Sequence, residues 1–279
     1  MSLAFGEPRN YLNNRYIYLV VSQRARGLSM GVNLYPNQAC NFNCVYCEVK
    51  RGAESMDGRV NLAIMAAELK RMLEAAQNDH LHHLNRYRMV PAELLRLREV
   101  AISGDGEPTL CPNFAEAVEA VIHLRAQARF PFFKLVLITN GTGLQLPVVR
   151  RGLAWFTLQD EIWIKLDAGT QAALERINRT TVPLSAILAN ILALGRERPV
   201  IIQSLFPILH DLEPDWADIE QYVQRLGELK AEGARISLVQ VYSAHRPTAT
   251  SDCRHLSLPF LSKIAIKIRE TTGLEAEVF

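Results

Sequence analysis

The chain has no apolar run approaching the roughly 18 residues that would cross a bilayer as a helix. Its opening, Met1-Ser-Leu-Ala-Phe-Gly-Glu-Pro8, lacks the basic segment and long apolar stretch of a secretory signal. Cysteine is scarce, five residues with three of them in one short cluster, which is not the spread of a disulfide framework. A reduced, cytoplasmic setting away from the membrane is the expectation. Charge of one sign is not in surplus either. The formal net charge of +2 neither demands nor excludes a nucleic-acid partner. No glycine- or serine-rich linker divides the 279 residues, so one domain is expected. Residues 1–30 read as an N-terminal strand extension, 31–256 as the core, and 257–279 as a C-terminal helix and tail.

What is present is a repeated alternation of short β-branched runs with longer helical patterns. Strands are expected at Tyr16–Val21, Ser29–Tyr35, Glu99–Ser103, Lys134–Thr139, Glu161–Leu166, Pro199–Phe206 and Arg235–Val241, with a last short one at Glu275–Phe279. Helices are expected at Asn61–Gln77, Asn113–Gln127, Thr170–Ile177, Leu184–Leu194, Asp215–Ala231 and Ser257–Thr271. Asn78–Pro91 is the least regular segment. Strands separated by helices imply a parallel sheet with right-handed crossovers. The count is too short for a closed eight-unit barrel and suits a partial, open (β/α)6 TIM-type α/β barrel with a short N-terminal β extension.

In such a sheet ligands bind beyond the carboxyl ends of the strands. The unusual residues fall at those ends. Cys40-Asn-Phe-Asn-Cys44-Val-Tyr-Cys47 follows the first barrel strand, and Gly104-Asp-Gly-Glu-Pro-Thr109 follows the second. Thr139-Asn-Gly141 and Lys165-Leu-Asp167-Ala-Gly169 close the next two. A single site on one rim is the expectation.

The spacing C-x3-C-x2-C supplies three thiolates and no fourth. Four cysteines hold an ordinary iron–sulfur cluster, so a [4Fe–4S] cluster on Cys40, Cys44 and Cys47 leaves one iron open to another ligand. Phe42 and Tyr46 lie between the cysteines and would shield it, with Tyr46 placed to contact an adenine. A zinc knuckle completed by a remote His or Cys is the competing reading, although no second paired-ligand half is evident. The glycines of the second loop let a ligand approach the backbone, and Glu107 offers acceptors for an ammonium group.

Cys-x3-Cys-x2-Cys with an aromatic before the last cysteine, then Gly-x-Gly-Glu-Pro after the next strand, resembles the radical S-adenosylmethionine (radical SAM) superfamily from Tyr16 to about Ser257. Gly31-Val-Asn-Leu, Ser103-Gly-Asp-Gly-Glu-Pro-Thr-Leu110, Lys165-Leu-Asp-Ala-Gly169 and Val239-Gln-Val-Tyr with Arg246-Pro247 resemble the branch of wyosine-base synthases that act on tRNA. The resemblance implies an enzyme in which the open iron chelates S-adenosylmethionine and one electron splits it into methionine and a 5′-deoxyadenosyl radical. It implies that Gly106 and Glu107 help hold the methionyl amine, with Gly104 also among the cofactor-binding residues, that Asn140, Lys165 and Asp167 face the ribose or carboxylate, that Gln203 and Ser204 lie toward the ribose, and that Gln240 lies near the adenine. It also implies a reductant such as flavodoxin or ferredoxin and offers a tRNA base as a candidate substrate, with a protein site or small metabolite as the alternative. No side chain is assigned to hydrogen abstraction. One departure stands out: tRNA-modifying members carry upstream cysteines for a second cluster, and here none precedes Cys40.

Other features invite blander readings. His80-Leu-His82-His83 is read as a polar loop or solvated helix end rather than a metal site, and Arg86, Arg88, Arg96 and Arg98 as a charged helix face. Arg24, Arg26 and Arg246 are read either as grips for an anionic substrate or as rim ion pairs. Cys111, just after the Gly-Glu-Pro loop, is read either as near the site or as a small buried hydrophobe, it and Cys253 are too few to ligate an auxiliary cluster, and Trp155 and Trp163 read as core.

Overall fold

The computed structural model describes residues 9–51, 58–246, 248–249 and 253–279; the opening segment Met1–Pro8 and Pro247 lie outside them. The chain folds into two compact units interleaved in sequence.

The first unit comprises Met1–Ala39, Gly52–Leu137 and Leu146–Glu161. Strand β1 (Ile17–Ser22) pairs antiparallel with β2 (Gly27–Val32), Ile17 opposite Val32. The turn between them is closed by Arg26, whose φ of 54° lies in the left-handed region. Strand β3 (Leu97–Ile102) runs parallel to β2, and β4 (Lys134–Thr139), whose last two residues belong to the second unit, runs parallel to β3, with Ile102 beside both Val32 and Leu137. Every residue of β2 is buried, as expected of a parallel strand covered on both faces. Helix α1 (Leu62–Gln77) starts at Asn61, whose side chain accepts from the Ile64 amide as an N-cap should. Helix α2 (Phe114–Ala126) packs against the short α3 (Pro147–Leu153) at Gly152, where a Cβ would stand 2.7 Å from the Phe114 ring. Asp160 is buried and takes both guanidinium nitrogens of Arg125 at 2.6 and 3.0 Å together with the Leu135 amide at 2.7 Å.

The second unit comprises Cys40–Arg51, Ile138–Gln145 and Ile162–Phe279. Strand β5 (Glu161–Lys165), whose first residue belongs to the first unit, pairs parallel with β6 (Val200–Leu205). Strand β8 (Ile236–Tyr242) follows β6, and β10 (Ala276–Val278) follows β8, all parallel. Helices α4 (Gln171–Asn178), α5 (Leu184–Glu197), α6 (Trp216–Ala231) and α7 (Leu258–Thr272) connect them. Strands β7 (Pro207–Leu209) and β9 (Cys253–His255) form a separate antiparallel pair. At Gly169 a Cβ would lie 2.1 Å from the Tyr222 amide, so only glycine lets α6 approach the end of β5 this closely.

The element order β2–α1–β3–α2–β4–α3–β5–α4/α5–β6–α6–β8–α7 repeats the strand–helix alternation read from the sequence. Four features differ from the reading. Arg86, Arg88, Arg96 and Arg98 form no helix face: the first two lie in turns, Arg96 is extended and Arg98 is on β3. Helix α3 and the β7–β9 pair were not expected; they are short, 7 residues in the helix and 3 in each strand. Trp155 is not core: it lies just past the end of α3 with 48% of its surface exposed, whereas Trp163 on β5 is 2% exposed. The irregular segment after α1 contains a 3-10 turn at His80–His83, with His82 beside Asp79 at 3.5 Å. Among the described residues no helix is long and apolar enough to cross a membrane.

Candidate functional site

In the second unit the cysteine loop is fastened to the carboxyl end of α4. The last carbonyls of a helix have no partner within it. Here Ile177 accepts from the Val45 amide at 2.9 Å and Asn178 from the Asn43 amide at 3.1 Å. The Asn178 side chain continues the attachment: its Nδ2 donates to Cys44 Sγ at 3.3 Å, to the Tyr46 hydroxyl at 3.2 Å and to Asp167 Oδ2 at 2.7 Å. Tyr46 itself donates to Asp167 Oδ2. Asp167 Oδ1 accepts the Leu205 amide at 2.8 Å. The carboxylate at the end of β5 thus receives three donors from the chain itself and ties the loop to β6.

Lys165 lies against the same cluster. Its Nζ donates to the Tyr242 hydroxyl at 2.8 Å and sits 4.7 Å from the Tyr46 ring centroid, a cation–π geometry. Burial alone would lower the lysine's pKa, but Asp167 and Tyr242 outweigh it and push it above the ordinary value, so the ammonium is retained. Burial and the Asp167 carboxylate push the Cys44 thiol up, against Lys165 and the Asn178 amide, which lower it. The same two causes raise the Tyr46 phenol well above its usual range. Tyr242 donates onward to Gln203 Oε1 at 3.3 Å, and Gln203 to Gln240 Oε1 at 3.2 Å, so one sheet face carries Lys165, Gln203, Gln240 and Tyr242.

Ser204 stands apart from that face. It is fully buried, with its hydroxyl 2.6 Å from the Tyr222 hydroxyl on α6. Asn140 reaches the cysteine loop by another route: its Nδ2 donates to Asn41 Oδ1 at 2.8 Å, and its Oδ1 receives the Thr142 amide and hydroxyl.

None of the three cysteines is in a disulfide, and all three are half-buried. Cys47 Sγ receives the Arg51 Nη2 at 3.0 Å and the Val49 amide at 3.4 Å. Donors aimed at thiolate sulfur are a feature of iron–sulfur ligation, where they tune the potential. Among the described residues no three His, Cys, Asp or Glu side chains converge as they would around a single ion. A cubane places its thiolates on separate irons, so its ligands need no such convergence. Three thiols on one loop, with N–H donors on two of the sulfurs, are a donor set of the kind a cluster takes. Arg246 pairs with Glu48 at 3.1 Å, the rim ion pair of the two readings given to it.

In the first unit the loop after β3 is held by its own chain. The Asp105 carboxylate accepts from Arg9 at 2.5 Å, from Tyr11 at 3.1 Å and from Asn33 Nδ2 at 2.8 Å. A Cβ on Gly106 would lie 2.0 Å from the Ala39 carbonyl oxygen and 2.7 Å from Tyr35 Cβ; on Gly104 it would strike Asn33 Oδ1 at 2.3 Å. Both glycines are required by the close approach of neighbouring chain. Glu107 is buried, and its Oε1 receives the Thr109 amide at 3.0 Å, capping the 3-10 turn Pro108–Leu110.

Cys111 and Cys253 are buried, and burial raises both thiols, that of Cys253 to about 11. Sequence reasoning missed Asn178, Arg51 and Asn41 as parts of the site. Only Arg51 left a signal, a cation four positions after the last cysteine.

A family model described as the radical SAM superfamily matches residues 34–226. A UPF0026 protein of Synechocystis sp. is 32% identical over 185 residues, 65% of this chain and 60% of that protein, so the chain spans less than two thirds of that relative's length. The solved structure of TYW1 with a lysine–pyruvate adduct bound is 17% identical with a TM-score of 0.56, covering 93% of this chain and 85% of the other. A radical SAM methyltransferase from Sphaerobacter thermophilus is 15% identical with a TM-score of 0.63, covering 94% and 68%. At these identities the likeness to the two structures is one of fold, the open α/β barrel expected from the sequence.

Proposed function

The chain belongs to the radical SAM superfamily, and on that premise we propose that it is an enzyme with a [4Fe–4S] cluster held by Cys40, Cys44 and Cys47 and S-adenosylmethionine on the remaining iron. Together the two cofactors supply a one-electron reductive cleavage that yields methionine and a 5′-deoxyadenosyl radical able to take hydrogen from a substrate. The observation that carries the reading is the cysteine loop itself: three thiols, no fourth, with side-chain donors on two of the sulfurs.

The chain's own groups then position and shield. Asn178, Tyr46 and Asp167 fix the loop, and Lys165 keeps a cation beside it. Gln203, Gln240 and Tyr242 offer amide and phenol groups toward a nucleoside, and Asn140 steadies the loop through Asn41. Gly104, Gly106 and Glu107 are assigned to the methionyl end on the strength of their motif. A small one-electron donor such as flavodoxin or ferredoxin completes the system.

Anaerobic reconstitution of the full chain tests this. The expected result is brown protein with about four iron per chain, releasing 5′-deoxyadenosine when dithionite is added, with release abolished by Cys44→Ala. Colourless protein releasing none would overturn the reading in favour of a non-catalytic binding module.

For substrate, we propose a tRNA base as the first candidate, supported by the motif resemblance at Gly31–Leu34, Ser103–Leu110 and Val239–Tyr242. A different base chemistry from wyosine formation is favoured by Cys111 and Cys253, which are buried and too few to ligate a second cluster. Turnover stimulated by host tRNA, and not by a metabolite extract, is the expected outcome; tRNA that leaves turnover unchanged would discard it.

A further inference from the structure

The side-chain donors to the Cys44 and Cys47 sulfurs are unlike. Cys44 Sγ faces a neutral amide, Asn178 Nδ2 at 3.3 Å. Cys47 Sγ faces a cation, Arg51 Nη2 at 3.0 Å, with the Val49 amide at 3.4 Å beside it. Arg51 and Cys47 lie in one short loop, four residues apart.

Reducing a cluster adds negative charge that spreads onto its thiolate sulfurs. A donor to sulfur therefore stabilises the reduced state more than the oxidised one and raises the potential. An amide acts through its dipole. A guanidinium brings a full charge that is not lost at any ordinary pH, and charge-assisted hydrogen bonds are about twice as strong as neutral ones.

We infer that Arg51, donating to Cys47, is a positioning residue that raises the reduction potential of the cluster on this loop, bringing it within reach of a mild one-electron donor. The inference rests on the proposed cluster. Asn178 acts in the same sense at Cys44, but it also holds Tyr46, Asp167 and the loop backbone. Substituting Arg51 leaves those Asn178 contacts in place, so it is the residue to test.

The experiment is a redox titration of the reconstituted full chain, followed by the electron paramagnetic resonance of the reduced cluster, for the parent, Arg51→Gln and Arg51→Lys. Arg51→Gln is expected to lower the reduction equilibrium about tenfold, which is about 59 mV for a one-electron couple. Arg51→Lys is expected to recover most of that shift. An Arg51→Gln potential equal to the parent's, with iron content retained, would overturn the inference. So would Arg51→Gln protein that takes up no iron, because Arg51 would then be needed for assembly rather than tuning. A parent chain that itself binds no iron would instead sink the function proposed above, so the two failures are distinguishable.

Discussion

Replacing Asp167 with asparagine keeps the side chain's shape and removes its charge. The carboxylate is 3% exposed and receives the Leu205 amide at 2.8 Å on one oxygen and Asn178 Nδ2 at 2.7 Å, with the Tyr46 hydroxyl, on the other. An amide keeps only one acceptor. With its oxygen toward Leu205, its nitrogen faces the Asn178 nitrogen, donor against donor; flipped, it faces the Leu205 amide instead. In the first orientation Asn178 loses its shortest bond and keeps Cys44 and the Tyr46 hydroxyl; in the second the buried Leu205 amide loses its partner, at a cost of about 1–3 kcal/mol, and the remaining bonds lose their charge assistance. The expected loss is about 3 kcal/mol, or roughly 6–12 °C in Tm for a chain of this size. Because Tyr46 and Asn178 carry the cysteine loop, iron uptake should fall with it. Tyr46→Phe removes a single donor and should cost only about 1 kcal/mol. The assay is thermal unfolding of the iron-free chain by circular dichroism, alongside iron content after anaerobic reconstitution. Were the carboxylate instead reserved for the ribose or carboxylate of S-adenosylmethionine, Asp167→Asn would spare both readings and weaken only ligand binding. That result would refute the anchoring role.

Asp160→Asn should cost about 3–5 kcal/mol at neutral pH, because it strands the Arg125 guanidinium inside the first unit. Burial alone would raise the Asp160 carboxyl, but Arg125 and the Leu135 and Thr157 amides hold it below its ordinary 3.8. Its contribution is therefore complete above that value and lost as pH falls through the folded pKa, so acid unfolding curves of parent and variant should converge. Glu99 has the opposite sign: burial raises its carboxyl despite Lys134 and Ser29, so its stabilisation is fullest in acid and fades as pH rises past the folded value. Glu99→Gln should accordingly unfold at a higher temperature than the parent at pH 7, and a lower temperature would contradict the assignment. Gly106→Ala forces its new Cβ from 2.0 Å off the Ala39 carbonyl oxygen. The loop must move by about 1 Å, a displacement that can cost about a hundredfold in activity, and equilibrium dialysis should show weaker binding of S-adenosylmethionine to Gly106→Ala.

The strands and most helices were legible because their apolar periods are long enough to read, as at Met65, Leu69 and Leu73 on α1 behind the Asn61 cap. Helix α3 hid behind its length, although Pro147 at its start was a usable sign. The clustered cysteines proposed to hold the cluster stood out for a different reason: their chemistry lies in one loop, within eight residues. Asn178 did not. Its partner Cys44 is 134 residues away, and nothing local separates a structural helix-end asparagine from any other. The motif glycines were found for an incomplete reason. A ligand's approach was the expected need, whereas Gly104 and Gly106 already have Asn33, Ala39 and Tyr35 where a Cβ would go. Ser204 shows the limit of strand-end reasoning, since one step along β6 turned it to Tyr222 and left Gln203 beside Tyr242.

The most direct measurement is electron–nuclear double resonance on the dithionite-reduced, reconstituted chain mixed with S-adenosylmethionine carrying nitrogen-15 in its amino group. A hyperfine coupling from that nitrogen to the cluster is the predicted result, since three cysteines leave one iron for it. A cluster whose spectrum ignores the added compound, or whose fourth iron is coupled to a nitrogen or sulfur of the chain itself, would contradict it.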